Sequence, residues 1–217
     1  MAPSLRNKTL LGLSLLFATV YTYGLQWGFY PEKPFLKAPV ILLLAAYAFL
    51  NTQGQTRRLL TSALVLSSLG DVFLALPPKY FVPGLVSFLV AHLFYIWLFL
   101  GSRQPSITLK DIAVGGALAL YGIGLVSWLY PNLGSMTGPV IAYATVLLLM
   151  GFAARLSNFG GSTVFIGALI FIASDSGIAI TKFAGADEWL GYVTWSAYVL
   201  AQYLIVFGVV RGAKQTS

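Results

Sequence analysis

The sequence predicts an all-α integral membrane protein, a bundle of eight transmembrane helices with both termini in the cytoplasm. Three observations support this fold class. Hydrophobic residues make up 58% of the 217 residues and charged residues 9%, whereas soluble domains carry roughly 25% charged residues. The apolar residues fall into eight runs near the length of about 20 residues that crosses the hydrocarbon core. The basic residues between these runs are concentrated on one side.

The eight predicted spans are separated by polar breaks rich in Pro and Gly. The first span follows Arg6 and Lys8, and its length favours a retained helix over a cleaved signal peptide. The spans cover residues 9–27, 36–51, 59–76, 81–100, 112–129, 139–155, 162–181 and 189–210. In chain order the breaks read PEKP, NTQGQTRR, PPK, GSRQPS, PNLGSMTGP, SNFGG and KFAGADE. No linker divides the chain, so residues 1–217 are predicted to form a single domain.

Charge and aromatic residues predict the orientation of these spans. With the N-terminus on the first side, nine Lys and Arg residues fall on that side and four on the other. Basic loops face the cytoplasm. The aromatic residues near span ends on the opposite side are typical of an interfacial belt: Trp27, Tyr30, Tyr80, Trp128, Tyr130 and Trp189. We therefore expect a multi-pass protein of the plasma membrane in a bacterium, or of the endoplasmic reticulum in a eukaryote.

Composition also restricts the chemistry. The chain has no cysteine and one histidine, His92, which excludes thiolate chemistry and leaves no multi-histidine metal site. It shows no phosphate-binding loop and no nucleophile elbow. We interpret the net charge of +7 as an orientation signal and expect no nucleic-acid partner. A site in this chain has to use carboxylates, the histidine, hydroxyl groups and water.

Two aspartates interrupt apolar runs. Asp71 lies in SSLGDVFLAL and Asp175 in GALIFIASDSGIAI. They follow Leu59 by 12 positions and Ser162 by 13, about 18 and 20 Å along a helix, which predicts that both lie slightly past the midplane. A charge at the bilayer centre costs at least about 2.5–3.5 kcal/mol. The pair can hydrogen-bond helices to one another, but intramembrane carboxylates more often mark a functional site.

Further polar residues lie within the predicted spans. His92 and Tyr95 are three positions apart in the fourth span, and Tyr198 and Gln202 are four apart in the last, so each pair shares a helix face. Lys37 begins the second span, where it can extend to the interface or contact an anionic lipid headgroup. We predict that the two aspartates converge with His92, Tyr95, Tyr198 and Gln202 on one cavity.

Five motifs resemble the YhhN family. They are LKAPVILLL around Lys37, SSLGDVFLAL around Asp71, GLVSFLVAHLFY with His92 and Tyr95, GALIFIASDSGIAI around Asp175, and YVTWSAYVLAQYLIV with Tyr198 and Gln202. The resemblance extends from the second span to the last. It implies a lysoplasmalogenase, a membrane hydrolase that cleaves the vinyl ether bond of lysoplasmalogens to a fatty aldehyde and a glycerophosphocholine or glycerophosphoethanolamine.

Together the resemblance and the residues imply roles for these side chains. Asp71 and Asp175 are the expected catalytic residues, one as acid and one as carboxylate, with the assignment open. Lys37, His92, Tyr95, Tyr198 and Gln202 are the expected substrate-binding residues. No metal or cofactor is expected, and the expected partners are membrane lipids and a lysophospholipid substrate from the bilayer.

Two other functions use the same aspartates. In a proton-coupled transporter they would relay protons across the membrane. In a lipid-binding membrane protein they would hold a ligand without chemistry. Aldehyde release from a lysoplasmalogen distinguishes the enzyme from both.

Overall fold

The computed structural model describes residues 4–24, 33–104, 106–187 and 189–214. Within these ranges the chain forms α-helices and two short 3₁₀ turns, Pro78–Tyr80 and Gly134–Met136, with no strand. The helices are α1 (Leu5–Gly24), α2 (Lys33–Asn51), α3 (Gly54–Ala75), α4 (Phe81–Gly101), α5 (Leu109–Leu133), α6 (Thr137–Leu156), α7 (Ser162–Ala184) and α8 (Trp189–Ala213). The predicted end of the first span, Trp27 and Tyr30 of the aromatic belt, and residues 31–32 lie outside the described residues.

Length and composition make this an integral, multi-pass membrane protein. Among the described residues, six segments are long and apolar enough to cross a membrane. Four of these segments are α2, α3, α7 and α8, and a fifth joins the first 3₁₀ turn to α4. The sixth, Leu109–Leu156, contains both α5 and α6, while α1 is not among the six. The all-helical class is thus confirmed, and the number of eight crossings stays a prediction.

Several helix ends differ from the predicted spans. α2 begins at Lys33 and includes Pro34, because a proline in the first turn removes no helical hydrogen bond. α5 continues through Pro131 to Leu133, so the predicted PNLGSMTGP break shrinks to the 3₁₀ turn. Membrane helices tolerate such prolines where the freed backbone groups find other partners.

The predicted break NTQGQTRR is also much shorter in the structure. α3 begins at Gly54, five residues before the predicted start. Arg57 stabilises this tight turn, because its Nε donates to the carbonyl of Thr52 at 2.7 Å and its guanidinium lies 4.7 Å from the centre of the Phe49 ring. A cation at the end of α2 also complements the negative end of that helix.

The chain divides into two compact units, Met1–Tyr95 and Ile96–Ser217. In the first unit, buried serine hydroxyls donate to carbonyls of neighbouring helices. Ser14 donates to Val40 at 2.7 Å, Ser68 to Ala38 at 3.0 Å and Ser87 to Leu66 at 2.8 Å. These bonds connect α1 to α2, α2 to α3, and α3 to the first part of α4. Such interhelical hydrogen bonds stabilise bundles in lipid, where apolar burial provides little driving force.

The second unit uses the same kind of bond and an ion pair. Ser174 of α7 donates to the carbonyl of Thr194 in α8 at 2.9 Å. At the start of α5, Asp111 and Thr108 form a capping box. Asp111 also pairs with Arg155, near the end of α6, at 2.8 Å. The start of α5 and the end of α6 therefore lie side by side, as antiparallel neighbours require.

Gly160 and Gly161 provide a matched test of packing in the second unit. Both have a positive φ, +58° and +57°, which costs another residue about 1–3 kcal/mol. A Cβ on Gly160 would lie 2.5 Å from the Cα of Gly208, whereas one on Gly161 would meet nothing within 4 Å. We expect Gly161→Ala to lower the free energy of unfolding by the backbone strain alone. Gly160→Ala should lower it by about 1–3 kcal/mol more, because the added methyl group also overpacks against the neighbouring helix. Unfolding of both variants by SDS in mixed micelles measures this difference, and equal midpoints would contradict the observed close approach.

Candidate functional site

The first candidate site is a buried ion pair between α2 and α3. The Nζ of Lys37 lies 3.0 Å from Oδ1 of Asp71, and the side chains are 12% and 1% exposed. Removing two charges from water is costly, so a buried pair persists only with close contact and further polar partners. The sequence interpretation offered two surroundings for Lys37, the interface or a lipid headgroup. The structure shows its ammonium paired with Asp71, and a substrate contact of Lys37 stays a prediction.

The surroundings of this pair come from three helices. The ring of Tyr21 in α1 lies with its centre 5.9 Å from the Lys37 ammonium, which is within the range of a cation–π contact. Ser67, one turn before Asp71 on α3, is fully buried, and its hydroxyl has no hydrogen-bond partner among the described residues. The ion pair, the Tyr21 ring and the Ser67 hydroxyl are thus polar groups within apolar helices.

His92 and Tyr95 lie on α4, both fully buried. The imidazole of His92 stacks on the ring of Phe88, with centroids 6.4 Å apart. Phe88 in turn packs on Gly70, where an added Cβ would lie 2.5 Å from the ring. Because Gly70 directly precedes Asp71, this contact brings the His92 face of α4 against the part of α3 that carries the carboxylate.

The second candidate site is Asp175 on α7, which is 8% exposed. The hydroxyl of Tyr143 on α6 donates to its Oδ2. Sequence reasoning missed Tyr143, since nothing distinguished it among 12 tyrosines. The signal that could have identified Tyr143 is its position relative to the turn of the hairpin. Tyr143 lies 13 positions before Leu156 at the end of α6, and Asp175 lies 13 after the start of α7, so the two face one another across an antiparallel hairpin.

The residue after Asp175 extends this polar layer to α5. Tyr121 donates to the hydroxyl of Ser176 at 2.7 Å, and Ser176 donates to the carbonyl of Ile172 at 2.7 Å. Tyrosines of α5 and α6 therefore donate to two successive residues of α7, but only Tyr143 reaches a carboxylate through these two contacts.

Tyr198 and Gln202 lie together on α8, as their spacing predicts. The Nε2 of Gln202 donates to the hydroxyl of Tyr198 at 3.4 Å, and both side chains are buried. The ring of Phe171 on α7 meets the Tyr198 ring edge-on at 5.4 Å. This face of α8 thus presents a phenol and an amide within the second unit.

The helix ends give the position of each aspartate within its own helix. Asp71 lies four positions before the end of α3 at Ala75, about 6 Å along the axis, and Asp175 lies nine before the end of α7 at Ala184, about 14 Å. The predicted matched depth of the two aspartates in the membrane stays a prediction. The convergence of both aspartates on one cavity involves both units and stays a prediction.

The two sites contain groups for acid–base chemistry. No cluster of three or more His, Cys, Asp or Glu residues able to hold a metal occurs among the described residues. The first site offers a carboxylate with its counter-ion, and the second a carboxyl group hydrogen-bonded by a phenol. These features define a class: a multi-pass helical membrane protein with buried carboxyl groups inside its apolar helices.

Comparisons with known proteins identify the family. Residues 32–209 match the YhhN family. A lysoplasmalogenase of Mycobacterium bovis is 37% identical over 187 residues, which cover 84% of this chain and 72% of that protein. Lysoplasmalogenase TMEM86B of Homo sapiens is 36% identical over 80% of this chain and 73% of that protein, and TMEM86B of Sus scrofa is 33% identical over 93% and 88%. No solved structure matches. The chain belongs to the YhhN family.

Proposed function

We propose that this protein hydrolyses the vinyl ether bond of lysoplasmalogens, releasing a fatty aldehyde and a glycerophosphocholine or glycerophosphoethanolamine. Its relatives are named lysoplasmalogenases. The observation that carries the proposal is the pair of carboxyl groups buried in apolar helices, Asp71 paired with Lys37 and Asp175 bonded to Tyr143. Buried ionisable groups in membrane helices usually serve chemistry or an ion path.

Vinyl ether hydrolysis needs the groups that these sites provide. An acid transfers a proton to the β-carbon of the C=C bond, and the electrons of that bond leave an oxocarbenium ion. Water adds to this cation and loses a proton, giving a hemiacetal. The hemiacetal hydroxyl then gives up its proton and forms the C=O bond of the aldehyde, while the bond to the glycerol oxygen breaks and that oxygen takes up a proton. Glycosidases divide the same tasks between two carboxyl groups around an oxocarbenium-like transition state.

The contacts of the two aspartates support a division of roles. Asp71 is ion-paired with Lys37 at 3.0 Å, so we assign it as the carboxylate that stabilises the cation and accepts a proton from water. The proton donor is then Asp175. Asp71 also lies only about 6 Å from the end of α3, which suits a group that handles water and a vinyl ether next to the polar glycerol.

The remaining residues are proposed to bind the substrate. Lys37, His92 and Tyr95 belong to the first unit, and Tyr198 and Gln202 to the second. Their convergence with both aspartates on one cavity of a single domain stays a prediction. The alkenyl chain of a single-chain lipid enters from the bilayer. Water is the only co-substrate in this scheme, so the side chains of the protein suffice for the acid–base steps.

We further propose eight crossings with both termini in the cytoplasm, at the bacterial plasma membrane or the endoplasmic reticulum. The nine-to-four distribution of basic residues supports this orientation. In a chain that naturally lacks cysteine, Ser106→Cys and Ser135→Cys report the two sides directly. We expect a membrane-impermeant thiol reagent to label Ser135→Cys from outside the cell and Ser106→Cys only after the membrane has been permeabilised. Labelling of both from the same side would contradict the orientation.

The proposed activity is tested on the purified protein in detergent or liposomes. We expect fatty aldehyde from a lysoplasmalogen and none from the matched saturated alkyl ether, because an alkyl ether has no C=C bond to protonate. Release from neither substrate, together with substrate-dependent proton flux in liposomes, would support the transporter. Binding with neither release nor flux would support the lipid-binding protein.

A further inference from the structure

We propose that Tyr143 is a positioning residue for Asp175, which prepares this carboxyl group to deliver its proton to the substrate carbon. The inference rests on the proposed function and extends it to a residue outside the family motifs identified in the sequence. Tyr143 lies on α6, and its hydroxyl donates to Oδ2 of Asp175 on α7. Both residues belong to the second compact unit.

The geometry of the hairpin fixes this contact. Tyr143 lies 13 positions before the end of α6 and Asp175 lies 13 positions after the start of α7, about 20 Å along either helix. The antiparallel pairing therefore holds the phenol level with the carboxyl group. Asp175 is 8% exposed. A hydrogen bond between two such neighbours fixes the orientation of the carboxyl plane, because one of its two oxygens is held by a rigid side chain.

The bond acts in two ways on proton transfer. A phenol that donates to Oδ2 uses that oxygen as an acceptor, so the acidic proton of a protonated Asp175 is carried by Oδ1. Once Oδ1 has given its proton to carbon, Asp175 is a carboxylate, and the O–H donated by Tyr143 stabilises the new charge. Hydrogen bonds to a charged acceptor are stronger than those to a neutral one, so the contact strengthens as the transition state is approached.

Tyr143→Phe removes this hydroxyl and keeps the ring, and Tyr121→Phe is its matched control. Tyr121 loses a similar bond, at 2.7 Å, to the hydroxyl of Ser176 next to Asp175. We expect kcat for aldehyde release to fall by about 10–100-fold in Tyr143→Phe with KM nearly unchanged. In Tyr121→Phe we expect a change of less than about threefold. Equal activities of wild type and Tyr143→Phe would overturn the inference.

The same substitution in an Asp175→Asn background separates a positioning role of Tyr143 from damage to the fold. In Asp175→Asn the proton donor is absent, so adding Tyr143→Phe should lower the residual activity by no more than about twofold, as expected for residues that act as a unit. An equal fractional loss in both backgrounds would show that the phenol only supports the fold.

An infrared measurement tests the contact without any activity. The carboxyl stretching band that disappears in Asp175→Asn should shift in Tyr143→Phe and stay in place in Tyr121→Phe. If the wild type releases no aldehyde, the proposed function fails while this shift still supports the contact. An unshifted band would overturn the inference even in an active enzyme.

Discussion

Asp71→Asn and Asp175→Asn are each expected to lower vinyl ether hydrolysis by about 10²–10⁴-fold, the range that a positioned acid or base contributes. Asparagine keeps the shape of the side chain but can neither release a proton at neutral pH nor carry a negative charge. In the proposed mechanism both residues act on the same cation, so the double variant should lose little more activity than the worse single variant. The measurement is kcat for aldehyde release by protein that has been shown to insert and remain monodisperse.

Asp187→Asn is the matched control for this pair, since Asp187 is exposed. It should retain activity within about twofold. Near-complete activity in both Asp71→Asn and Asp175→Asn would refute the carboxyl mechanism and make His92 the next candidate acid. If only Asp175→Asn lost activity, the role of Asp175 as proton donor would stand and the proposed catalytic role of Asp71 would be wrong.

Lys37→Met is expected to have the largest effect on stability. It leaves Asp71, which is 1% exposed, as a buried charge without its ammonium partner. Removing one member of a buried ion pair costs about 3–5 kcal/mol. Activity should fall as well, because the carboxylate loses the group that fixes its position. Unfolding by SDS in mixed micelles measures the change in the free energy of unfolding.

The double variant Lys37→Met with Asp71→Asn separates the two effects. With both charges removed, most of the lost stability should return, whereas the activity should stay as low as in Asp71→Asn. Lys79→Met, which removes an exposed lysine, should change the free energy of unfolding by no more than about 0.5 kcal/mol. If Lys37→Met had the same free energy of unfolding as the wild type, the ion pair would not stabilise the fold.

The sequence predicted where helices form because apolar length and composition decide this within each segment. It did not predict the helix ends. Pro34 and Pro131 look like breaks, yet a helix accepts proline in its first turn and, in the membrane, near its end. The start of α3 at Gly54 is stabilised by the bond from Arg57 to the carbonyl of Thr52. This bond forms only within the tight turn, so the sequence pattern does not reveal it.

The sequence could propose residues for the candidate site but not the contacts between them. Asp71 and Asp175 were identified by the cost of a charge in an apolar run, which is a local property. The contact between Lys37 and Asp71 joins residues 34 positions apart, and the one between Tyr143 and Asp175 joins residues 32 apart. Such pairs depend on how two helices are aligned, and a single sequence fixes that alignment only where a short turn connects them.

The most direct test of the central claim is hydrolysis of a lysoplasmalogen in D₂O, with mass spectrometry of the released aldehyde. Protonation of the β-carbon predicts one deuterium on the carbon next to the aldehyde group, with the same yield of deuterium at every early time point. The matching aldehyde, incubated without substrate, controls for exchange after release. Aldehyde that forms without this deuterium would contradict carbon protonation by an aspartic acid, and the mechanism assigned to Asp71 and Asp175 would be wrong.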